Sequence, residues 1–162
     1  MVMAQAQVRS MESRTGRENQ RYGSRGERLV AGVVPLSADK SKVLMIQSAG
    51  QGGWVLPKGG WETDEESAED AASREAWEEA GVLCTIQKNL GLIPDMRPST
   101  LLTAHAPKAS YQFFEATVDR EEDQWPEAHK RKRQWAPYAQ AATALARRPE
   151  LLEALNRSSL KR

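Results

Sequence analysis

The sequence predicts a mixed α/β domain, in which short strands come before and after one long helix and further helices end the chain. β-rich apolar runs occupy 29–36 and 42–47, and a third run, at 110–118, alternates apolar and polar residues. Between them, 64–80 has helical spacing with start and stop signals. Helical spacing returns over 138–155. A chain of 162 residues is long enough for one domain with its own core.

Both ends of the chain are expected to lie outside that domain. Residues 1–24 are polar and have hardly any apolar periodicity, which is typical of a disordered leader. We therefore place the domain at 25–157 and a flexible tail at 158–162.

Composition narrows the classes of protein to consider. Cys84 is the only cysteine, which excludes an intrachain disulfide and a cysteine-based zinc cluster. No apolar stretch has the length of a membrane span or the form of a signal peptide. We therefore expect a cytoplasmic or nuclear protein without a membrane partner, although unconventional secretion would leave no such mark. The formal net charge of +1 hides strong segregation of acids and bases along the chain.

The strands before the helix are expected to bring backbone atoms close to a ligand. The polar segment 37–41 separates the first two runs, which predicts a hairpin. A glycine-led short strand at 52–57 then leads into Lys58, Gly59 and Gly60. Because glycine has no side chain, the backbone there can approach a ligand or a metal closely.

The segments after the helix are expected to complete the sheet and to shape a pocket. Short strands are predicted at 83–86 and 90–93. A loop at 94–108 carries three prolines and is of the kind that often borders a pocket. Its His105 is interpreted as an ordinary loop residue, whereas Lys108, near the start of a strand, is a candidate to face phosphate.

The helix has its own boundary signals. Thr63 and Glu66 fit a capping box, and Gly81 stands where a left-handed C-terminal residue is required. These signals place the helix at about 64–80.

The helix also predicts a metal site. Glu75, Glu78 and Glu79 fall within about one third of its circumference. A glutamate-rich face is often simply solvated, but four alanines lie on the side of Glu75 and Glu79, namely Ala68, Ala71, Ala72 and Ala76. Packing of that side would draw the carboxylates into a cleft, where a divalent cation removes the cost of unpaired like charges. Arg74 stands four residues before Glu78 and can hold that carboxylate.

The spacing of the glycines and acids resembles the Nudix box, a signature of 23 positions. The residues that carry the match are Gly60, Glu66, Arg74, Glu75, Glu78, Glu79 and Gly81. Ala76 stands where the pattern has a bulkier aliphatic residue, which leaves the proposed ligands untouched. The resemblance implies an α/β/α sandwich around a mixed sheet and hydrolysis of phosphoanhydride bonds with magnesium, for which manganese can substitute.

Roles within the site follow from the same resemblance. It implies that Glu75, Glu79 and the backbone carbonyl of Gly59 bind the metal, and that Glu78 is either a ligand or the base that activates water. Which glutamate is the base varies among Nudix enzymes. Arg74 belongs to the catalytic group as the residue that orients a carboxylate.

The wider sequence resembles the fungal and animal diphosphoinositol polyphosphate phosphohydrolases. These enzymes also cleave diadenosine polyphosphates and, in several members, inorganic polyphosphate. The resemblance covers about 21–155 and is carried by WVLPKGGWETDEE, AASREAWEEAG, KRKRQW and RRP, of which the PKGGWE wording is more fungal than animal. It implies an inositol pyrophosphate as substrate.

A ligand with many phosphates requires several cations from different chain segments, and arginine suits phosphate especially well. The candidates by charge and position are Arg21, Arg25, Arg28, Lys58, Lys108, Arg131, Arg133 and Arg148. The resemblance to the family also implies a role for Arg21, Arg28, Arg131, Arg133 and Arg148 and adds Ser48, whereas Arg25 rests on charge and position alone. Gly59 and Gly60 are expected to approach the ligand through their backbone. If 130–135 forms a strand, Arg131 and Arg133 point to the same face.

Two alternatives stay open. Other Nudix substrates are possible, either ADP-ribose and ADP-sugars or the cap of messenger RNA, for which the basic run at 130–133 could bind RNA. A non-catalytic module that binds a phosphorylated ligand is the second alternative, against which the complete set of box glutamates argues. We expect a monomer that acts on a highly phosphorylated small molecule and has no stable nucleic-acid partner.

Overall fold

The structure is a computed structural model and describes residues 9–50, 52–104 and 107–162. Residues 1–8 of the predicted leader and the loop residue His105 lie outside the described residues. The strands are β1 (Arg28–Leu36), β2 (Val43–Gln47), β3 (Trp54–Val55), β4 (Lys58–Gly60), β5 (Val82–Pro94), β6 (Ala109–Glu121) and β7 (Arg133–Ala136). The helices are α1 (Ala68–Ala80), α2 (Tyr138–Ala144) and α3 (Pro149–Arg157), with a 3-10 turn at Ser99–Leu101. In the part of the chain that is described, no helix is long and apolar enough to cross a membrane.

The strands form one mixed sheet with β1 at its centre. β1 runs parallel to β6 along its whole length and antiparallel to β4. The predicted hairpin is confirmed by the antiparallel pair Leu36↔Val43 between β1 and β2. β2 also pairs with β3 and β7, and β5 pairs with β6. This mixed sheet with its helices confirms the predicted α/β sandwich.

The core forms where helices cover the sheet. β1 and β2 are buried along nearly their whole length, as expected of strands that have packed groups on both faces. The predicted alanine side of α1 is fully buried at Ala71, Ala72 and Ala76, and α1 packs mainly on β1, β4 and β5. Small side chains let the helix axis approach the sheet closely, so residues beside the alanines are drawn inward with them.

The start of α1 corrects the predicted helix boundary. The helix begins at Ala68 and is capped by Ser67, whose hydroxyl accepts a hydrogen bond from the Asp70 amide at 3.1 Å. The predicted capping box at Thr63 and Glu66 was wrong, because Glu65 is buried and its carboxylate accepts a bond from the Glu62 amide instead. The predicted C-terminal residue Gly81 is confirmed, with a left-handed φ of 67°.

Two boundaries after α1 also differ from the predictions. The two short strands expected at 83–86 and 90–93 form one strand, β5, whose pairing with β6 is interrupted by register shifts. The helical run predicted over 138–155 forms two helices, α2 and α3, and Pro149 begins the second of them. Proline is well tolerated at a first helical position, because the amide it lacks would have no partner there.

The termini differ from the predicted disordered leader and flexible tail. Residues 10–20, which we call the N-terminal strap, lie against the domain, and Gln20 is only 8% exposed and bridges to Glu62. In the tail, the Ser159 amide and hydroxyl both donate to the buried Glu115 carboxylate at 2.7 Å, and Leu160 is buried. Composition concealed both contacts, because each polar end is held by buried polar partners from distant parts of the chain.

Candidate functional site

Three glutamates of α1 enter a cleft beside β4. Glu75 and Glu78 are 7% and 5% exposed. Glu79 accepts a hydrogen bond from the Lys58 amide at 3.1 Å, which ties α1 to β4. A Cβ atom at Gly59 would lie 2.1 Å from a Glu75 oxygen, so any larger residue there would displace the Glu75 carboxylate. Glu75 and Glu79 lie on the alanine side of α1. Because that side packs on the sheet, the two carboxylates are brought into the cleft.

Arg74 connects these carboxylates to the loop before the helix. Its guanidinium donates to Glu75 at 3.0 Å and to Glu78 at 3.3 Å. It also forms two hydrogen bonds with Glu65, at 2.9 and 3.0 Å, and one with the Gly60 carbonyl at 2.8 Å. The contact with Glu78 was predicted from the four-residue spacing, whereas those with Glu65 and Gly60 require the fold.

Burial makes the charged forms of the glutamates unfavourable. Burial and then the neighbouring Glu79 raise the pKa of Glu75 to about 8. Burial likewise raises the pKa of Glu79 to about 7, although Arg131 and Lys58 oppose the shift. The pKa of Glu78 is raised by burial too. Positive charge placed between Glu75 and Glu79 would therefore stabilise both ionised forms.

The donor set fits a hard divalent cation. No group of three or more acidic, histidine or cysteine side chains is placed to hold one ion within residues 9–50, 52–104 and 107–162. Arg74 and Arg131 form ion pairs with the carboxylates instead. Magnesium, however, usually takes only one or two carboxylates and completes its shell with water and phosphate. Glu75 and Glu79, with the backbone of Gly59, provide oxygens of that kind.

The same cleft contains a fourth carboxylate that the sequence analysis missed. Glu127, from the segment between β6 and β7, is 6% exposed. It accepts hydrogen bonds from the Ser13 hydroxyl at 2.7 Å and from Arg131 at 2.8 Å. Burial raises the pKa of Glu127, but these bonds outweigh burial and lower the pKa below its ordinary value. No regular spacing marks this residue, so only its contacts reveal it.

We call this space the carboxylate cleft. Its volume is about 300 Å³. Its acidic residues are Glu62, Glu75, Glu78, Glu79 and Glu127, and its wall includes Arg28, Lys58, Gly59, Gly60, Arg74 and Arg131.

A second, larger cleft adjoins it. This basic cleft has a volume of about 750 Å³ and shares Lys58, Glu79, Tyr111 and Arg131 with the carboxylate cleft. Its cationic residues are Lys58, Arg97, Arg131, Arg147 and Arg148. The shared residues place the basic side chains directly beside the buried carboxylates.

The structure brings part of the predicted substrate set to these clefts. Ser48, Lys58, Arg131 and Arg148 line the basic cleft. Gly59, Gly60 and Arg28 line the carboxylate cleft, where Arg28 donates to the Gln20 side chain at 2.9 Å.

Four predicted bases lie elsewhere among the described residues. Arg21 donates to the Glu65 carbonyl and stacks over Trp61, so it supports the loop before α1. Arg133 donates to the Ala80 carbonyl at 3.0 Å and caps the negative end of α1. The prediction that Arg131 and Arg133 line one cavity is therefore corrected, because Arg131 precedes β7 and strand alternation does not govern it. Arg25 and Lys108 are exposed and line neither cleft.

Two bases of the basic cleft were not among the predicted ligands. Arg147 lies between α2 and α3. Arg97 is held in a fork by Asp95, with its Nε 3.0 Å from one carboxylate oxygen. The sequence feature that could have identified Arg97 is the Asp-x-Arg spacing within a proline-rich loop.

Stability should depend on pH in a characteristic way. The pKa values of Glu75 and Glu79 in the fold, about 8 and about 7, lie above the ordinary value of 4.5. The folded state therefore binds more protons than the unfolded state between these limits, and stability falls as pH rises from about 5 to 8. Thermal unfolding in chelator should show a steeper decline for the unaltered protein than for Glu75→Gln. Equal slopes for the two proteins would contradict the raised pKa values.

Comparisons with known proteins agree with this geometry. The NUDIX domain model matches residues 26–155. Nudix hydrolase 4 of Arabidopsis thaliana is 39% identical over 146 residues, covering 83% of this chain and 67% of that protein. Nudix hydrolase 21, chloroplastic, of the same plant is 39% identical over 142 residues, covering 83% and 68%. Both relatives are plant proteins, so the predicted fungal likeness stays a prediction. The predicted compartment of this chain also stays a prediction.

Solved structures share the fold. A NUDIX hydrolase from Nitrosomonas europaea superposes with a TM-score of 0.67 at 17% identity, covering 81% of this chain and 87% of that one. A C. elegans Ap4A hydrolase in a binary complex has a TM-score of 0.61 at 23% identity, covering 80% and 93%. At these identities the likeness establishes the architecture and not the substrate.

Proposed function

Because the chain belongs to the NUDIX family, a family of phosphoanhydride hydrolases, we propose that it removes phosphate from diphosphoinositol polyphosphates. Diadenosine polyphosphates and inorganic polyphosphate are further substrates under this proposal. Nudix hydrolases generally use a divalent metal such as magnesium, and Glu75, Glu79 and Gly59 are the residues that would hold it.

One observation carries the choice of substrate. Within the described part of the chain, the side chains of Lys58, Arg147 and Arg148 in the basic cleft have no ion-pair or hydrogen-bond partner. Burial lowers the pKa of Lys58, and Arg148 and Arg28 lower it further, although Glu79 opposes them. Cations that repel one another around an open space are stabilised by an anion placed between them. A ligand with several phosphates meets that requirement.

Under this proposal, the chemical step takes place in the carboxylate cleft, and the basic cleft binds the phosphates of the substrate. Water attacks the phosphorus of the terminal phosphate, the bond to the bridging oxygen breaks, and inorganic phosphate and a shortened phosphate ester result. A bound divalent cation lowers the pKa of water and offsets negative charge on the phosphoryl oxygens. Lys58 and Arg148 bind the phosphates on the basic side. Glu127, which hydrogen bonds keep ionised, and Glu78 are the carboxylates available to orient the water or take its proton.

The test is phosphate release, with magnesium, from a diphosphoinositol pentakisphosphate, beside diadenosine hexaphosphate and ADP-ribose. We expect turnover of the inositol substrate, with KM raised about tenfold or more in Lys58→Gln and in Arg148→Gln, because each change removes a charged phosphate contact. Arg120→Gln is the control, since the Arg120 side chain is 70% exposed, pairs with Glu122 and lines neither cleft. Brisk cleavage of ADP-ribose without inositol turnover would overturn the substrate and leave the family chemistry standing.

A nucleotide substrate is the second candidate, on account of an apolar rim. Met96 and Leu101 are 44% and 60% exposed, and both line the basic cleft with Tyr111. Exposed apolar side chains beside unpaired arginines suit a flat base joined to phosphates. Loss of diadenosine hexaphosphate turnover, but not of inositol turnover, in Leu101→Ser would assign the rim to a base.

A further inference from the structure

The N-terminal strap contacts two carboxylates of the carboxylate cleft. The Arg14 amide donates to a Glu78 carboxylate oxygen at 3.3 Å. The neighbouring Ser13 hydroxyl donates to Glu127 at 2.7 Å. Arg14, Gly16 and Gln20 of the strap line this cleft, so the strap forms part of its wall.

Independent contacts hold the strap in this place. The Arg14 guanidinium lies 2.9 Å from Glu62 and 2.7 Å from Asp64. The Trp77 indole donates to the Ser10 carbonyl at 2.9 Å. The strap is therefore anchored on α1 and on the loop before it, on both sides of Ser13.

Glu127 extends the influence of the strap to Glu79. One Glu127 oxygen accepts from Ser13 and the other accepts from Arg131 Nε at 2.8 Å. The same guanidinium donates to Glu79 at 3.3 Å and to the Gln47 carbonyl at 2.8 Å. Each guanidinium nitrogen of Arg131 thus has a protein partner. The main role of Arg131 is therefore to hold Glu79 and Glu127 in place, and binding phosphate is secondary.

We infer that the N-terminal strap is a positioning element for hydrolysis, which holds Glu78 directly and Glu79 through Glu127 and Arg131. This inference rests on the proposed hydrolysis at the carboxylate cleft. No strap residue lines the basic cleft. Loss of the strap contacts therefore affects the chemical step more than substrate binding.

The first test compares two single variants of the full chain. Ser13→Ala removes the bond to Glu127 and should lower kcat about tenfold with KM within twofold, as expected for one hydrogen bond to a charged group. Ser13→Thr keeps the hydroxyl and should retain most of kcat. An unchanged kcat in Ser13→Ala, a matching rise in KM, a higher activity or a failure of Ser13→Thr to retain activity would each overturn the inference.

Hydrogen exchange supplies a readout that requires no substrate. Without the Ser13 bond, amides over 127–133 should exchange at least threefold faster in Ser13→Ala than in the unaltered protein, while Ser13→Thr stays protected. Equal exchange in all three proteins would refute the inference even if no substrate is found. Absence of turnover by the unaltered protein on every phosphoanhydride tested would instead count against the proposed function alone.

Discussion

Glu79→Gln is expected to lower kcat for phosphoanhydride hydrolysis by about three orders of magnitude while the fold is kept. Glu79 lines both clefts, and its two oxygens accept bonds from the Lys58 amide and from Arg131. Glutamine preserves the shape of the side chain but not the negative charge that would hold a divalent cation. Steady-state phosphate release with excess magnesium measures the loss.

The folded state should not suffer from this change. Burial raises the pKa of Glu79 to about 7, so the neutral amide removes a charge that burial disfavours, and Tm in chelator should be equal or higher. Glu69→Gln is the matched control, because Glu69 is on the same helix but exposed. Retention of more than about a tenth of kcat in Glu79→Gln would contradict the assigned role.

Arg74→Ala is expected to cause the largest loss of stability. The change leaves Glu65, Glu75 and Glu78 without their shared cation and the Gly60 carbonyl without its donor. Removing one partner of a buried ion pair costs about 3–5 kcal/mol, mainly because a buried charge remains unpaired. Urea unfolding at pH 7 measures the change in the free energy of unfolding.

Two further variants test whether the loss of stability comes from the buried hydrogen bonds of Arg74. Arg74→Lys should recover only part of the stability, because an ammonium cannot reproduce the planar fork of donors to Glu65. Arg120→Ala, at a largely exposed arginine, should stay within about 0.5 kcal/mol. A loss of less than about 1 kcal/mol in Arg74→Ala would show that solvent or other side chains replace the five hydrogen bonds of Arg74.

Local sequence patterns predicted the inward face and the end of α1 but not its start. The position of Glu75 and Glu79 beside buried alanines followed from the helical period, and Gly81 was recognised as the stop because few other residues adopt a positive φ. The start was misplaced, since Thr63 and Ser67 both precede acids at suitable spacing. The buried contacts of Glu65 select between them, and those contacts involve Arg74 from the next turns of the chain.

The basic residues show where such patterns end. Arg131 and Arg133 belong to one run of four bases, yet one holds Glu79 and Glu127 and the other caps α1. Both are arginines in the same basic run, so neither charge nor position in that run distinguishes them. Their partners come from distant segments, and no local pattern reports them.

The sequence by itself determined the mixed α/β class, the inward face of α1 and the hard-oxygen character of its glutamates. These properties depend on helical and strand periods and on side-chain chemistry, which are local. Only the tertiary structure decided that the N-terminal strap and Glu127 join the carboxylate cleft. It also decided that, among the residues the structure describes, the side chains of Lys58, Arg147 and Arg148 have no ion-pair or hydrogen-bond partner. Whether a charged side chain is paired or free depends on which distant groups the fold brings within hydrogen-bonding distance.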